Sequence, residues 1–140
     1  MNERSAILKA RILVADDEPN IVISLEFLLR REGHEVIAAY DGRQALDAVA
    51  RERPDLILLD VMMPLKTGFE VCQHLRATTA FHDIPIIMLT ARGRDTDVAR
   101  GLALGADAYL TKPFSTRDLM ATVAELLVAR SRGCSASAGP

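Results

Sequence analysis

Short apolar runs alternate along the chain with longer amphipathic segments. Five runs are largely apolar at successive positions and are bounded by polar or turn-forming residues, which is typical of strands buried on both faces. These predicted strands cover residues 12–15, 35–39, 56–59, 85–89 and 108–110. Between them, apolar residues recur at the three- and four-residue spacing of helices. The alternation predicts five β-α units and a parallel sheet with helices on both faces.

The ends of the predicted helices are marked by residues with strong positional preferences. Pro19 suits the first turn of the first helix, and Gly33 suits its end. Gly105 is expected to end the fourth helix. The spacing of Ser115 and Asp118 resembles a capping box at the start of the fifth helix. These signals support a helix after each strand.

Composition adds few constraints beyond an ordinary globular domain. The chain has 140 residues, of which 49% are hydrophobic, and its net charge of −2 argues against a broad nucleic-acid-binding surface. No apolar run approaches the ~20 residues of a membrane span, and the N-terminus lacks the apolar region of a signal peptide. Cys72 and Cys134 lack metal-ligand spacing, so we expect reduced thiols in a cytoplasmic protein. We expect one domain over residues 10–130, flexible ends at 1–9 and 131–140, and no direct binding to nucleic acid or membrane.

Polar side chains follow the carboxyl ends of four predicted strands. Asp16 and Asp17 follow the first strand, Asp60 the third, Thr90 the fourth and Lys112 the fifth. In open α/β sheets, ligands bind beyond these strand ends, near the point where the strand order reverses. With the order 2-1-3-4-5, these four strands flank one crevice, and the second strand lies outside it. The pattern therefore predicts that the polar groups converge at one place.

The predicted set of groups suits metal-assisted phosphoryl transfer. Three carboxylates beside one ammonium repel one another, and a hard cation with oxygen ligands, such as Mg²⁺, relieves this repulsion. Mn²⁺ is an alternative ion, and the backbone carbonyl of Met62 is a further candidate ligand. A carboxylate can act as a nucleophile towards phosphorus, while the ion and Lys112 neutralise charge on the transferring group. The hydroxyl of Thr90 can donate a hydrogen bond to a phosphoryl oxygen.

Four motifs closely resemble the receiver domains of bacterial response regulators. They are Asp16-Asp17, the run from Leu58 to Pro64 with Gly68, the run from Met88 to Ala91, and the run from Gly105 to Phe114. The resemblance extends from about Arg11 to Leu127. Its stretch from Ile84 to Phe114 is most similar to receivers of the winged-helix transcription-factor branch. The family implies a flavodoxin-like (βα)5 three-layer sandwich with a five-stranded parallel sheet of order 2-1-3-4-5.

The resemblance also implies the chemistry of the site. Asp60 would be the phosphoacceptor, and Asp16 and Asp17 would hold Mg²⁺ together with Asp60 and the Met62 carbonyl. The donor would be a phosphohistidine on a sensor histidine kinase or on a phosphotransfer domain. Such a protein catalyses only its own phosphorylation and dephosphorylation, so it is a signalling phosphoacceptor and not an enzyme that turns over a separate substrate.

Further residues would control the response to phosphorylation. The resemblance implies that Thr90 and Tyr109 form a switch pair, that Lys112 contacts the phosphoryl group, and that the Lys112–Pro113 peptide bond is cis. Met62 and Arg92 lie two residues after Asp60 and Thr90 respectively. We expect a bulky apolar group and a long cation at these positions to hinder attack by water and so to lengthen the lifetime of the phosphorylated state.

Two other classes of function compete with this interpretation. A phosphohydrolase of the haloacid-dehalogenase type needs a second acid two residues after its nucleophile, and Met62 at that position cannot transfer protons. A degenerate receiver, acting as an unphosphorylated interaction module, typically lacks an acid or the lysine. Here all the expected groups are present: Asp16, Asp17, Asp60, Thr90 and Lys112.

The output of the predicted receiver is open. We expect a downstream protein to bind the surface formed by the fourth helix, fifth strand and fifth helix. Several positions at which transcription-factor receivers carry charged dimer contacts are neutral here, namely Val98, Ala103, Ala108, Thr122 and Ala124. A monomer or weak homodimer is therefore expected. Since no effector domain follows in this sequence, we expect a stand-alone relay or diffusible regulator, with a segment of a longer multidomain protein as the open alternative.

Overall fold

A single parallel sheet forms the centre of the molecule. The structure is a computed structural model that describes residues 9–91, 99–100 and 102–138, without the side chains of 91 and 131–138. The strands are β1 (Arg11–Ala15), β2 (Glu35–Ala39), β3 (Leu56–Asp60), β4 (Ile86–Ala91) and β5 (Ala108–Lys112). Their order is β2-β1-β3-β4-β5, and all neighbours are parallel. The predicted strand order is therefore confirmed.

Helices connect the strands and cover both faces of the sheet. Those with complete bounds are α1 (Pro19–Arg31), α2 (Gly42–Glu52), α3 (Gly68–Ala77) and α4 (Thr116–Ala138). The predicted fifth helix is α4. The predicted fourth helix falls largely outside the described residues, although residues 99, 100, 102 and 103 are helical. Among the described residues, no helix combines the length and apolar character needed to cross a membrane.

The alternation of side chains along the strands creates two cores, one on each face. On one face, the buried side chains of β1, β3 and β4 contact α2 and α3; members of this cluster are Leu13, Ile57, Met88, Ala45, Val49, Cys72 and Leu75. On the other face, they contact α1 and α4; members are Ile12, Leu58, Ile87, Leu25, Leu29, Leu119 and Val123. The molecule is thus a three-layer α/β sandwich of the predicted flavodoxin-like type.

Two predicted boundaries differ from the structure in a way that matters for the site. The apolar runs end before Asp60 and Lys112, yet β3 includes Asp60 and β5 includes Lys112. Asp60 pairs with Leu89 of β4, and Lys112 pairs with Ala91 of the same strand. Backbone pairing therefore extends into the polar residues and holds both of them in the sheet.

The helix ends follow local capping chemistry. Pro19 opens α1, and Gly33 after its end has φ of 96°. The Ser115 Oγ accepts a hydrogen bond of 2.9 Å from the Asp118 N–H at the start of α4. This helix continues to Ala138, beyond residue 130 at which the predicted domain ends. Ala and Arg favour helix and no proline lies between residues 113 and 140, so the local sequence permits the extension.

Candidate functional site

Three carboxylates meet at the carboxyl edge of the sheet. Asp16, Asp17 and Asp60 each place an oxygen within 4.8 Å of the others. Asp16 directly follows β1, and its N–H donates to the Ala39 carbonyl of β2 at 3.0 Å. Asp16 is fully buried, Asp60 is 6% exposed, and Asp17 is exposed to solvent. The fold therefore brings together the three acids that the strand-end rule predicts, with one of them open to solvent.

Among the described residues, one ammonium group lies among these acids. The Lys112 Nζ donates to Asp16 Oδ2 at 2.9 Å and to Asp60 Oδ1 at 3.4 Å. It also lies 3.7 Å from Glu18 Oε1, a contact that the sequence reasoning did not anticipate. Glu18 directly precedes α1, and its N–H donates to Asp16 Oδ1 at 2.9 Å. An acid two residues after Asp16 was the available signal, but the lysine that it approaches is distant in sequence.

Burial and like charges leave the site electrostatically unbalanced. Burial raises the pKa of Asp60 to about 6, and the neighbouring charge of Asp16 adds to the increase, whereas Lys112 opposes it. Burial disfavours the charged form of Lys112, but its hydrogen bond to Asp16 and the charge of Asp60 outweigh burial and raise its pKa. In the described part of the chain, one cation thus faces several acids, and a bound metal ion would relieve their repulsion.

The ligand set fits a hard divalent cation. All three side chains offer oxygen, the donor that Mg²⁺ prefers, and the exposed Asp17 leaves room for the water that this ion usually retains. Met62 lies two residues after Asp60 with a side chain that is 58% exposed, so no core packing fills the space around it. These residues are suited to holding the ion, because the ionised acids together carry more negative charge than Lys112 neutralises.

The predicted switch residues lie on adjacent strands. Thr90 is 2% exposed on β4, and it pairs with Thr111 of β5. Tyr109 of β5 is partly buried and packs against the cluster that faces α2 and α3. The Lys112–Pro113 peptide bond is cis, the form that the resemblance implies. Arg92, the second predicted lifetime residue, lies outside the described residues.

Comparison with known proteins identifies the family. A family model described as the response regulator receiver domain matches residues 12–124. This match spans most of the chain, and the chain therefore belongs to the response regulator receiver domain family. The family provides signalling modules of two-component systems.

Solved structures with this fold come from several contexts. The chain is 36% identical to the chemotaxis response regulator CheY4 of Vibrio cholerae, with a TM-score of 0.79. The match covers 84% of the present chain and 98% of CheY4. The chain is 34% identical to the receiver domain of a histidine kinase from Syntrophus aciditrophicus, with a TM-score of 0.81 and coverage of 86% and 91%.

A third similar structure is much longer. NtrX from Brucella abortus is 26% identical, has a TM-score of 0.86, and is matched over 92% of this chain and 29% of its own length. The same domain thus occurs in proteins of different size and name. The similarity identifies the family and fold, while the output of this chain is a separate question.

Proposed function

We propose that this protein accepts a phosphoryl group on Asp60 in a Mg²⁺-dependent reaction. The donor is a phosphohistidine on a sensor histidine kinase or a phosphotransfer protein. The observation that carries the proposal is the position of Asp60. It ends the central strand β3, shares its surroundings with two further acids, and lies 3.4 Å from the ammonium of Lys112.

The chemistry follows from the groups around Asp60. A carboxylate oxygen of Asp60 attacks phosphorus, the bond from phosphorus to the histidine nitrogen breaks, and the histidine leaves with the electron pair. Asp16, Asp17, Asp60 and the Met62 carbonyl would hold the ion, which would supply positive charge to neutralise the transferring group. Lys112, released from part of its contact with Asp60, donates to a phosphoryl oxygen. Attack by water on the same phosphorus breaks its bond to the Asp60 oxygen, releases inorganic phosphate and restores the carboxylate.

The response is proposed to pass through Thr90 and Tyr109 to a protein partner. Phosphorylation adds up to two negative charges beside the strand ends. The Thr90 hydroxyl then moves to donate a hydrogen bond to a phosphoryl oxygen. Tyr109 then fills the vacated space, and the surface formed by the predicted fourth helix, β5 and α4 selects the effector. Structures with and without a phosphoryl mimic test this step, because an unchanged Tyr109 rotamer in both would contradict it.

The lifetime of the phosphorylated state is proposed to depend on Met62 and Arg92. Both side chains would restrict the approach of water in line with the bond that breaks. The Met62→Asn, Arg92→Glu double variant is expected to lose its phosphoryl group faster than the wild type. Equal hydrolysis rates would count against this role.

We place the phosphoryl transfer in the cytoplasm, in line with the buried free thiol of Cys72. We propose that the protein is a monomer or weak homodimer.

Phosphorylation by acetyl phosphate tests the central proposal. Intact mass should increase by one phosphoryl group, about 80 Da, only when Mg²⁺ is present, by the chemistry expected of a carboxylate nucleophile. The Asp60→Asn variant should show no increase. Asp47→Asn, which changes an exposed acid on α2, is the matched control and should behave as the wild type does. A folded wild type that gains no mass and binds no Mg²⁺ would instead indicate an unphosphorylated interaction module.

A further inference from the structure

The loop from Val61 to Thr67 follows the phosphoacceptor and is tightly turned. The Lys66 N–H donates to the Pro64 carbonyl at 2.8 Å, which closes a γ-turn around Leu65. Leu65 has φ of 70°, a conformation that is strained for this residue type, and its side chain is 72% exposed. Neither a buried side chain nor an intrinsic preference therefore explains the turn. A contact from outside the loop must hold it.

The start of α2 provides that contact. The Gly42 N–H donates to the Pro64 carbonyl at 3.3 Å. This oxygen therefore accepts one hydrogen bond from within the turn, from Lys66, and one from the start of α2. Gly42 is buried against Lys66 so closely that a Cβ atom there would overlap the Lys66 carbonyl oxygen and lie 2.5 Å from its Cβ. A side chain on residue 42 would therefore push the loop away. Glycine is required here by close approach of two backbones.

The segment that carries Gly42 is itself braced. The Asp41 side chain accepts from the Gln44 N–H at 2.7 Å and caps α2. The Gln44 Oε1 accepts from the Tyr40 N–H at 2.9 Å, which joins the helix to the end of β2. The contact on the loop thus comes from a part of the sandwich that is itself held by hydrogen bonds.

The base of the loop is anchored in the same manner. The Gly68 N–H donates to the Val61 carbonyl at 2.8 Å, and a Cβ atom on Gly68 would overlap the carbonyl oxygen of Asp60. Met63, one residue past Met62, is 7% exposed in the core. Met62 therefore lies on a short loop fixed at its base by Gly68 and at its tip by Gly42. Its backbone position depends on both contacts.

We propose that Gly42 is a positioning residue for the metal site, acting by holding the loop that carries the Met62 carbonyl, the backbone ligand of the proposed function. The inference rests on the proposed function, since it assumes that Mg²⁺ binds at Asp16, Asp17 and Asp60. Gly42 touches no reacting group and donates nothing to the ion. Its effect is on affinity for Mg²⁺ and not on the chemistry of Asp60.

A Mg²⁺ titration followed by the amide NMR signals of the loop tests the inference without phosphorylation. Gly42→Ala should raise the Kd for Mg²⁺ about tenfold, as loss of a supporting contact around a metal site typically does. Phosphorylation by acetyl phosphate should be slow at low Mg²⁺ and return to near the wild-type rate at saturating Mg²⁺. The matched control is Gly33→Ala, which strains a positive φ after α1 with no atom near its Cβ. It should lose stability and keep the wild-type Kd.

Each outcome has a defined meaning. Alanine is the better helix former at the start of α2, so an unchanged Kd in a stable Gly42→Ala variant would overturn the positioning role. Asp41→Ala removes the cap of α2 and so loosens the segment that carries Gly42, without adding an atom at residue 42. It should also raise the Kd for Mg²⁺. If Gly42→Ala does not fold, this second variant decides, and an unchanged Kd there overturns the inference. A wild type that binds no Mg²⁺ would instead defeat the proposed function itself.

Discussion

Two partly buried cations, Lys112 at the candidate site and Arg76 in the supporting structure around α3, have different sets of acceptors. Their side chains are almost equally exposed, at 20% and 19%. Lys112 is shared by the carboxylates of Asp16, Asp60 and Glu18. Arg76 of α3 instead faces one carboxylate and several carbonyl groups. The difference lies in the balance between donors and acceptors.

The guanidinium group of Arg76 donates hydrogen bonds from each of its three nitrogens. Its Nε donates to the Gly105 carbonyl at 2.8 Å, and its Nη1 donates to the carbonyls of His82 at 3.0 Å and Ile84 at 2.8 Å. Its Nη2 donates to Asp107 Oδ2 at 2.8 Å. This cation therefore ties α3 to the segments before β4 and β5, with one charge matched by one charge.

The site around Lys112 leaves its charges unmatched. Within the described ranges, several acids approach one another around one ammonium group, and burial strengthens their repulsion. Matched donors and acceptors around Arg76 stabilise the supporting structure. Unmatched negative charge remains at the site where, on the proposed function, a metal ion and a phosphoryl group bind. Substitution at the two places should therefore change stability in opposite directions.

The largest expected effect is the loss of the Arg76 contacts. Arg76→Ala takes the side-chain donor from three carbonyl groups and the counter-charge from Asp107, which keeps its hydrogen bond from the Ile86 N–H. We expect the free energy of unfolding to fall by about 2–4 kcal/mol. Urea denaturation measures the change. Arg30→Ala, which removes an exposed ion pair with Glu26 in α1, is the matched control and should cost less than about 0.5 kcal/mol. Similar losses for both variants would remove the contrast.

The opposite change is expected at the site. Folding raises the pKa of Asp60 from 3.8 to about 6, so the folded state disfavours its charge, and this penalty is absent below pH 3.8 and complete above pH 6. Without Mg²⁺ at pH 7.5, Asp60→Asn should therefore raise the free energy of unfolding by about 2 kcal/mol. The gain should vanish near pH 4. Added Mg²⁺ should stabilise the wild type more than the variant, because the variant lacks one ligand.

Denaturation with and without Mg²⁺, at both pH values, checks this prediction. Asp47→Asn serves again as the control at an exposed position and should change stability little in all four conditions. A destabilised Asp60→Asn variant at pH 7.5 without Mg²⁺ would show that its contact with Lys112 outweighs the repulsion among the acids. The site would then resemble the Arg76 cluster after all.

The smallest expected effect lies at the amino edge of the sheet. The Nδ1 of His34 accepts from the Ala10 N–H at 3.0 Å, and burial lowers the pKa of His34, against the charge of Glu32. The unfolded chain therefore takes up the proton first. His34 contributes its stability above pH 6.5, and the contribution is lost as pH falls through 6.5 towards the lower folded pKa.

A pH series of unfolding measurements tests this matched neutral contact. Since protonation at Nδ1 removes the hydrogen bond, the wild type should lose about 0.5–1.5 kcal/mol through this group on acidification. His34→Asn should lose correspondingly less over the same range. His74→Asn, at an exposed position of α3, should follow the wild type. Parallel curves for all three proteins would show that His34 does not contribute.

The sequence by itself determined the alternation of strands and helices and the residues at the strand ends. This was possible because buried strands and amphipathic helices leave local periodic patterns, and because parallel strands place their carboxyl ends at one edge. Asp16, Asp17, Asp60, Thr90 and Lys112 could be assigned to that edge on these grounds. The motifs then pointed to the family, which the match over residues 12–124 confirmed.

Only the tertiary structure decided which distant groups touch. Three contacts join segments that are far apart in sequence: Glu18 with Lys112, Arg76 with Gly105, and Gly42 with Lys66. Such contacts depend on the distances between packed elements, and a local pattern of residue types carries no record of those distances. Burial, which raises the pKa of Asp60, likewise arises only when the layers close over the sheet.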